Sequence, residues 1–236
     1  MSSPIIKLSG VDLTLGRGAA RVHILRGISL EVGQGEAVGL VGPSGSGKSS
    51  LLMVVAGLER VDAGTVEIAG QDLARLDEDD IAEFRGRNIG IVFQSFHLIP
   101  TMTALQNVAV PLELAGREDA FGRAEAELRA VGLGNRLSHY PAELSGGEQQ
   151  RVAVARALAP NPSIVCADEP TGNLDEATGA EVAELIFRLR SERGTTLLLV
   201  THDLPLAERC ERIVHLRSGK IDPMRADFPK RVGIAQ

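Results

Sequence analysis

Tryptophan is absent from this chain of 236 residues, and aromatic residues make up only 3% of it. Stacking platforms for single-stranded nucleic acid are therefore not expected. Positive charge is also short, with 25 Lys and Arg against 31 Asp and Glu for a net charge of −6. That balance argues against a sequence-independent grip on nucleic acid, so no nucleic-acid partner is expected. Only two cysteines occur, Cys166 and Cys210, which offer neither a disulfide framework nor zinc spacing. A reducing, cytoplasmic compartment is the natural expectation. No apolar run reaches the length that spans a bilayer, and Met1-Ser2-Ser3-Pro4 lacks a signal-peptide pattern. Any membrane role is then expected from outside the lipid. Apolar residues are plentiful at 44%, enough core for one large domain with lobes or two small ones.

Glycine is concentrated in one informative place, Gly42-Pro43-Ser44-Gly45-Ser46-Gly47-Lys48-Ser49. The spacing G-x-x-x-x-G-K-S is that of a phosphate-binding loop. It follows the apolar run Ala37-Val38-Gly39-Leu40-Val41 and precedes Leu51-Leu52-Met53-Val54-Val55-Ala56, the strand–loop–helix setting such a loop needs. Glycines let the backbone curl and turn N–H groups toward an anion. Lys48 supplies a point charge for terminal phosphates, and the Ser49 hydroxyl suits a magnesium ion. The helix that starts there directs its positive end at the same phosphates.

Patterning elsewhere reads as α/β. Residues 5 to about 41 alternate apolar and polar positions, which predicts antiparallel strands ending in the strand before the loop. Gly64–Gly70 and Ile89–Phe93 predict further strands, with a helix over Ile81–Arg87 after the acidic run Asp77–Asp80. From Ser95 to about Pro160 the periodicity turns helical, over Ala104–Leu114, Glu118–Val131 and Ser145–Leu158, with a kink or break expected at Pro111. Strand–helix alternation then returns: Ile164–Ala167, a helix over Glu176–Arg190, and the continuous apolar run Thr196–Val200. Such a run suits a buried parallel strand. Ile213–Leu216 and the turn at Ser218-Gly219 predict a terminal hairpin, and the polar residues 222–236 read as a loosely held tail.

Two further segments carry chemistry. Asp168 and Glu169 close an apolar strand, so the first can hold a metal while the second acts on water. Ser145-Gly146-Gly147-Glu148 has capping-box spacing, which by itself is ordinary helix physics. The same geometry makes a second anion site at a helix start. Two such sites in one chain suggest a nucleotide clamped between two copies.

Together LSGGEQQR at 144–151, GPSGSGKSS at 42–50, ADEPTGNLD at 167–175 and THD at 201–203 resemble the ATP-binding cassette ATPases over nearly the whole chain. The resemblance implies a single domain over residues 5–236. Residues 1–94 and 161–221 would form a phosphate-loop (RecA-like) α/β core with an N-terminal antiparallel β subdomain. Residues 95–160 would form an inserted helical subdomain, leaving 222–236 as the tail. It implies ATP and Mg2+ as cofactors. Residues Gly42 to Ser50 (Pro43, Ser44, Gly45, Ser46, Gly47, Lys48 and Ser49 among them) would bind ATP, with Ser145, Gly146, Gly147 and Asp175 completing the site from a second copy. Ser49, Gln94 and Asp168 would hold the metal, Glu169 would serve as catalytic base, and His202 would contact the γ-phosphate. Gln94 would also couple to a membrane partner, and Gly172–Asp175 would cross the dimer interface.

The stretches 93–112, 141–158 and 168–175 look like the LolD/MacB/YbbA group, with the YbbA branch nearest on 132–153. That group implies a homodimer on the cytoplasmic face of a bacterial inner membrane, driving an FtsX/MacB-type permease in export, lipoprotein release or force transmission. A regulatory ATPase of the FtsE type shares these motifs. A DNA-repair ATPase is disfavoured, because heptad arrays and paired cysteines are lacking. One departure stands out: Leu15 occupies the position where the family usually stacks an aromatic ring on adenine, and no aromatic precedes Phe84. Leu15 or Val22 would then give the base apolar contact alone. Ser50 replaces the commoner Thr and keeps its hydroxyl.

Overall fold

A computed structural model describes residues 3–16 and 18–222. The chain divides into two compact units, one built from residues up to Arg75 and from Leu197 onward, the other from Leu76 to Thr196.

The first unit opens with β1 (Ile6–Leu15) and β2 (Val22–Val32), paired antiparallel. Alternation, interrupted by register shifts such as that between Leu8 and Val11, places Ile6, Leu8, Val11 and Leu13 of β1 and Leu25, Ile28, Leu30 and Val32 of β2 in the core. The wholly buried β3 (Ala37–Val41) leads into the glycine loop and α1 (Lys48–Val55). β4 (Ala63–Ile68) pairs with β1, and β5 (Gln71–Asp72) closes this four-stranded antiparallel sheet in the order β2-β1-β4-β5.

In the second unit, the acidic run starts α2 (Glu78–Asn88), where Asp77 caps the helix by accepting from the Asp80 amide. β6 (Ile89–Phe93) pairs parallel with β7 (Ile164–Asp168), and Phe93 lies opposite Asp168 at their C-terminal ends. Between these strands run α3 (Ala104–Leu114), α4 (Ala120–Ala130) and α5 (Gly146–Leu158), and α6 (Glu176–Arg193) follows β7. Capping boxes start α3 at Thr103 and α5 at Ser145. The break or kink expected at Pro111 does not end α3, which runs through the proline to Leu114. Pro111 has no N–H for the Asn107 carbonyl, but one missing bond does not stop a helix whose Val108, Ala109 and Leu112 are buried. The Asn107 amide holds the preceding loop, exchanging hydrogen bonds with both backbone groups of Ile99 and donating to Met102 O and Thr103 O.

The chain re-enters the first unit through β8 (Thr196–Val200), which pairs parallel with β3. After the short α7 (Leu204–Ala207), β9 (Arg212–Arg217) pairs parallel with the other edge of β3. β10 (Lys220–Ile221) completes the expected hairpin with β9. β3 is therefore flanked on both sides by parallel strands, which is why its sequence is apolar at every position. Beyond Asp222 the expected tail lies outside the described residues.

Candidate functional site

Within the first unit, the β3–α1 loop has an exposed tip, Pro43-Ser44-Gly45, and a buried base, Ser46-Gly47-Lys48. The backbone at Gly45 and Gly47 is left-handed, with φ of 73° and 102°. A side chain at Gly42 would run into the Leu216 carbonyl, and one at Gly47 would press on Leu25 Cδ2 and Ile24 O. Glycine is thus required for the loop to lie this close to its neighbours. Lys48 Nζ donates to Gly42 O at 2.8 Å and Pro43 O at 3.0 Å, so the ammonium sits within the curl of the loop. The Ser46 hydroxyl is buried without a protein partner. Ser49 is exposed and Ser50 half-buried on the first turn of α1.

His202 lies exposed after β8, where the Thr201 hydroxyl accepts from the Asp203 amide at 3.0 Å and Asp203 caps α7. Leu15 and Val22 face one another as register partners at the open end of the β1–β2 pair, and Val22 is 55% exposed.

Within the second unit the polar residues expected at the metal and the water are held at the ends of paired strands. Gln94 follows β6, and its side chain and carbonyl exchange hydrogen bonds with the Asn173 side chain. Asp168 ends β7 and Glu169 follows with φ of 47°, a left-handed backbone unusual for a residue with a side chain. Its carbonyl accepts from the Gly172 amide at 3.0 Å, which fixes that turn. Strain of this kind persists only where surrounding contacts over-determine it. Gln150 of α5 supplies such a contact: its side chain is fully buried, and Nε2 donates to Phe93 O at 3.3 Å and Pro170 O at 2.6 Å. One amide thereby ties the residue before Gln94 to the residue after Glu169.

Arg156, six residues farther along α5, grips the other side of Gln94. Its guanidinium donates to Phe96 O at 2.8 Å and to His97 O, both on residues with left-handed backbone. Burial lowers the Arg156 pKa from its ordinary value. Phe93 and His97 add a tilted ring contact with centroids 4.7 Å apart. Sequence reasoning missed Gln150, Arg156 and the side chain of Asn173. For Gln150 there was a signal, a polar residue falling on the same helical stripe as the buried Gly147 and Val154.

At the start of α5, Ser145 Oγ accepts from the Glu148 amide at 3.2 Å, and the Glu148 carboxylate accepts from the Ser145 amide at 2.8 Å. Glu148 also pairs with Arg136, Nε to Oε1 at 3.0 Å. The Ser145 amide first, then Arg136, hold the Glu148 carboxyl down at about 2. Gly147 is buried against α6, and a side chain there would overlap Thr178 Cγ2. Asp175 caps α6 through the Thr178 amide, and the Thr178 hydroxyl first, then that amide, lower its pKa from the ordinary carboxylate value. The expected phosphate residues Ser145, Gly146 and Gly147 therefore pack beside the segment that carries Asp175.

These groups fit the chemistry of a nucleoside triphosphate with magnesium. The loop offers a buried hydroxyl without a partner, an ammonium turned into its own curl, and a backbone too close for side chains at Gly42 and Gly47. Ser49 in the first unit, and Gln94 and Asp168 in the second, each offer oxygen of the kind a hard cation takes. Among the described residues no three His, Cys, Asp or Glu side chains gather as a cage. Magnesium on phosphates needs no such cage, because phosphate oxygens and waters supply most of its ligands.

The chain matches the ABC transporter family over residues 25–172. It is 50% identical over 219 residues to the ABC transporter ATP-binding protein YbbA of Escherichia coli K12, covering 92% of this chain and 96% of that protein. It is also 50% identical over 218 residues to the lipoprotein-releasing system ATP-binding protein LolD of Geobacter metallireducens, covering 91% and 97%. Among solved structures it resembles the dimeric ATP-binding cassette MJ0796 bound to ADP and Pi, with a TM-score of 0.85 and 41% identity over 92% of this chain and 96% of that one. With motifs, fold and near relatives in agreement, the chain belongs to the ABC transporter family and is one of its ATPase subunits.

Proposed function

We propose that two copies of this chain close around two ATP–magnesium complexes and transmit that closure to an inner-membrane permease of the FtsX/MacB type. The observation that carries the dimer reading is the presence of two differently built anion-binding helix starts in one chain, the glycine loop before α1 and the Ser145 box before α5. A chain that completed its own site would need only the first. The dimeric state of MJ0796 and the LolD relative support the reading. No helix among the described residues is long and apolar enough to cross a membrane.

In this proposal the loop amides, Lys48 and Ser49 bind the phosphates. Ser145, Gly146 and Gly147 of the second copy, with Asp175, complete the site. Asp168, Gln94 and Ser49 hold magnesium, which neutralises charge on the phosphates when bound. Glu169 orients the attacking water and takes its proton, and His202 contacts the γ-phosphate. The loop after Gln94 and the helices over 95–160 pass the motion to the permease at the cytoplasmic face of the membrane.

Glu169→Gln tests the reading. The amide keeps the shape and loses the base, so ATP should drive a stable dimer visible by light scattering while turnover falls at least about a hundredfold. Undiminished turnover would remove Glu169 from its role, and a monomer under saturating ATP would remove the dimer.

A further inference from the structure

Glu148 places a full negative charge where the proposed function needs phosphate to bind. Its carboxylate is one hydrogen bond from the Ser145 backbone, in the first turn of α5. A helix start attracts a carboxylate for the same reason that it attracts phosphate, and two anions brought to one helix start repel one another. Left uncompensated, the Glu148 charge would oppose the nucleotide.

Arg136 changes that balance. It lies in the connection between α4 and α5, in a stretch of backbone fixed on both sides. Its amide donates to Leu133 O at 2.9 Å, and its carbonyl accepts from His139 N at 3.0 Å. From there Nε reaches Glu148 Oε1, while Glu148 Oε2 stays on the Ser145 amide. The carboxylate is thus divided between the two, one oxygen each. The side chains are 39% and 19% exposed, so their charges are only partly screened by water.

We propose that Arg136 is a positioning residue that neutralises Glu148 and holds its carboxylate in the capping box, leaving the start of α5 free to accept a triphosphate presented by a second copy of the chain. The inference rests on the dimer reading above and adds a charge requirement to it. Glu148 is ionised at every physiological pH, so the compensation is needed throughout that range.

The test measures ATP-driven dimerisation in the Glu169→Gln background by sedimentation. Arg136→Ala should weaken dimerisation about threefold to thirtyfold, the size of one uncompensated like charge at short range near a protein surface. The deficit should shrink as salt rises from about 0.05 M to about 0.5 M. E148Q alone should dimerise at least as well as the parent, and R136A/E148Q should return to within about threefold of it, because the pair is then neutral again. Arg136→Gln, which keeps a donor without the charge, should behave as R136A, whereas Arg136→Lys should behave as the parent. Q and K variants also cover the case in which the Ala variant folds poorly. A merely structural ion pair would give the opposite pattern, with E148Q as damaging as R136A and no recovery in the double variant. That pattern, or R136A dimerising like its parent, overturns the inference alone. A parent that does not dimerise with ATP overturns the dimer reading and the inference with it.

Discussion

Gln94 and Asn173, 79 residues apart, hold each other at both ends: Gln94 Nε2 donates to Asn173 Oδ1 at 3.1 Å, and Asn173 Nδ2 donates to Gln94 O at 3.0 Å. A side chain on Gly172 would also press on Gln94 Nε2. A residue proposed to touch magnesium is thus fixed by the segment proposed to cross between protomers. Movement of one strand end is not free of the other.

Asn173→Ala removes both bonds and leaves Gln94 exposed and unguided. Since the site's chemistry is sensitive to displacements of about an ångström, turnover should fall on the order of tenfold to a hundredfold. Nucleotide affinity, carried by the glycine loop, should stay within about threefold, because backbone amides and Lys48 supply most of the phosphate contacts. Steady-state kinetics and fluorescent-nucleotide titration separate the two. An equal loss in both would place Asn173 in binding rather than in positioning Gln94.

Gln150 makes a sharper demand, because it is fully buried. Gln150→Leu preserves volume but strips Phe93 O and Pro170 O of a donor. Phe93 O keeps the Phe96 amide, so the cost falls on the buried Pro170 carbonyl and should be about 1–3 kcal/mol in urea unfolding. The same change frees the backbone on either side of Gln94 and Glu169, so turnover should drop in the fully folded variant at low temperature as well. Loss of stability with normal turnover would show that the amide serves packing only.

Cys166 lies in the wholly buried part of β7, and burial raises its thiol from the ordinary 9.0 to about 12. Its folded pKa is above the unfolded one, so the folded state keeps its proton when the unfolded chain has lost it. The resulting stability is present below about pH 9 and declines as pH rises from there toward 12. Cys210 is buried as well. Alkylation at pH 8.5 should therefore be negligible in the native protein and should follow the urea unfolding curve. Fast labelling of either thiol below the unfolding midpoint would contradict the buried placement.

What the sequence discloses and what it withholds divide along physical lines. The glycine loop, the apolar runs of β3, β7 and β8, and the Ser145–Glu148 box are local patterns, and a short stretch of chain contains all that determines them. Gln150, Arg156 and Arg136 act on partners 57, 60 and 12 residues away, respectively. No local spacing encodes those meetings. Pro111 shows the converse, where a local rule that can break a helix does not do so: α3 runs over Ala104–Leu114, as its periodicity indicates, because its buried face carries it through the proline. The left-handed backbone at Glu169 was also invisible, since nothing in a carboxylate's identity announces its φ.

Gly147 gives a prediction in which packing and function can be pulled apart. A methyl group there would overlap Thr178 Cγ2, the side chain that follows the Asp175 cap of α6. Gly147→Ala should destabilise the protein by about 1–3 kcal/mol, the usual cost of forcing an extra carbon into a packed contact. Thr178→Ser removes the offending methyl and keeps the hydroxyl, so the double variant should recover most of that loss in thermal unfolding. ATP-driven dimerisation should not recover with it, because the added methyl still stands beside the proposed phosphate position at the start of α5. Recovery of both together would mean that Gly147 is glycine only to make room for Thr178. Recovery of stability alone would show that the small residue is needed there by something outside its own chain.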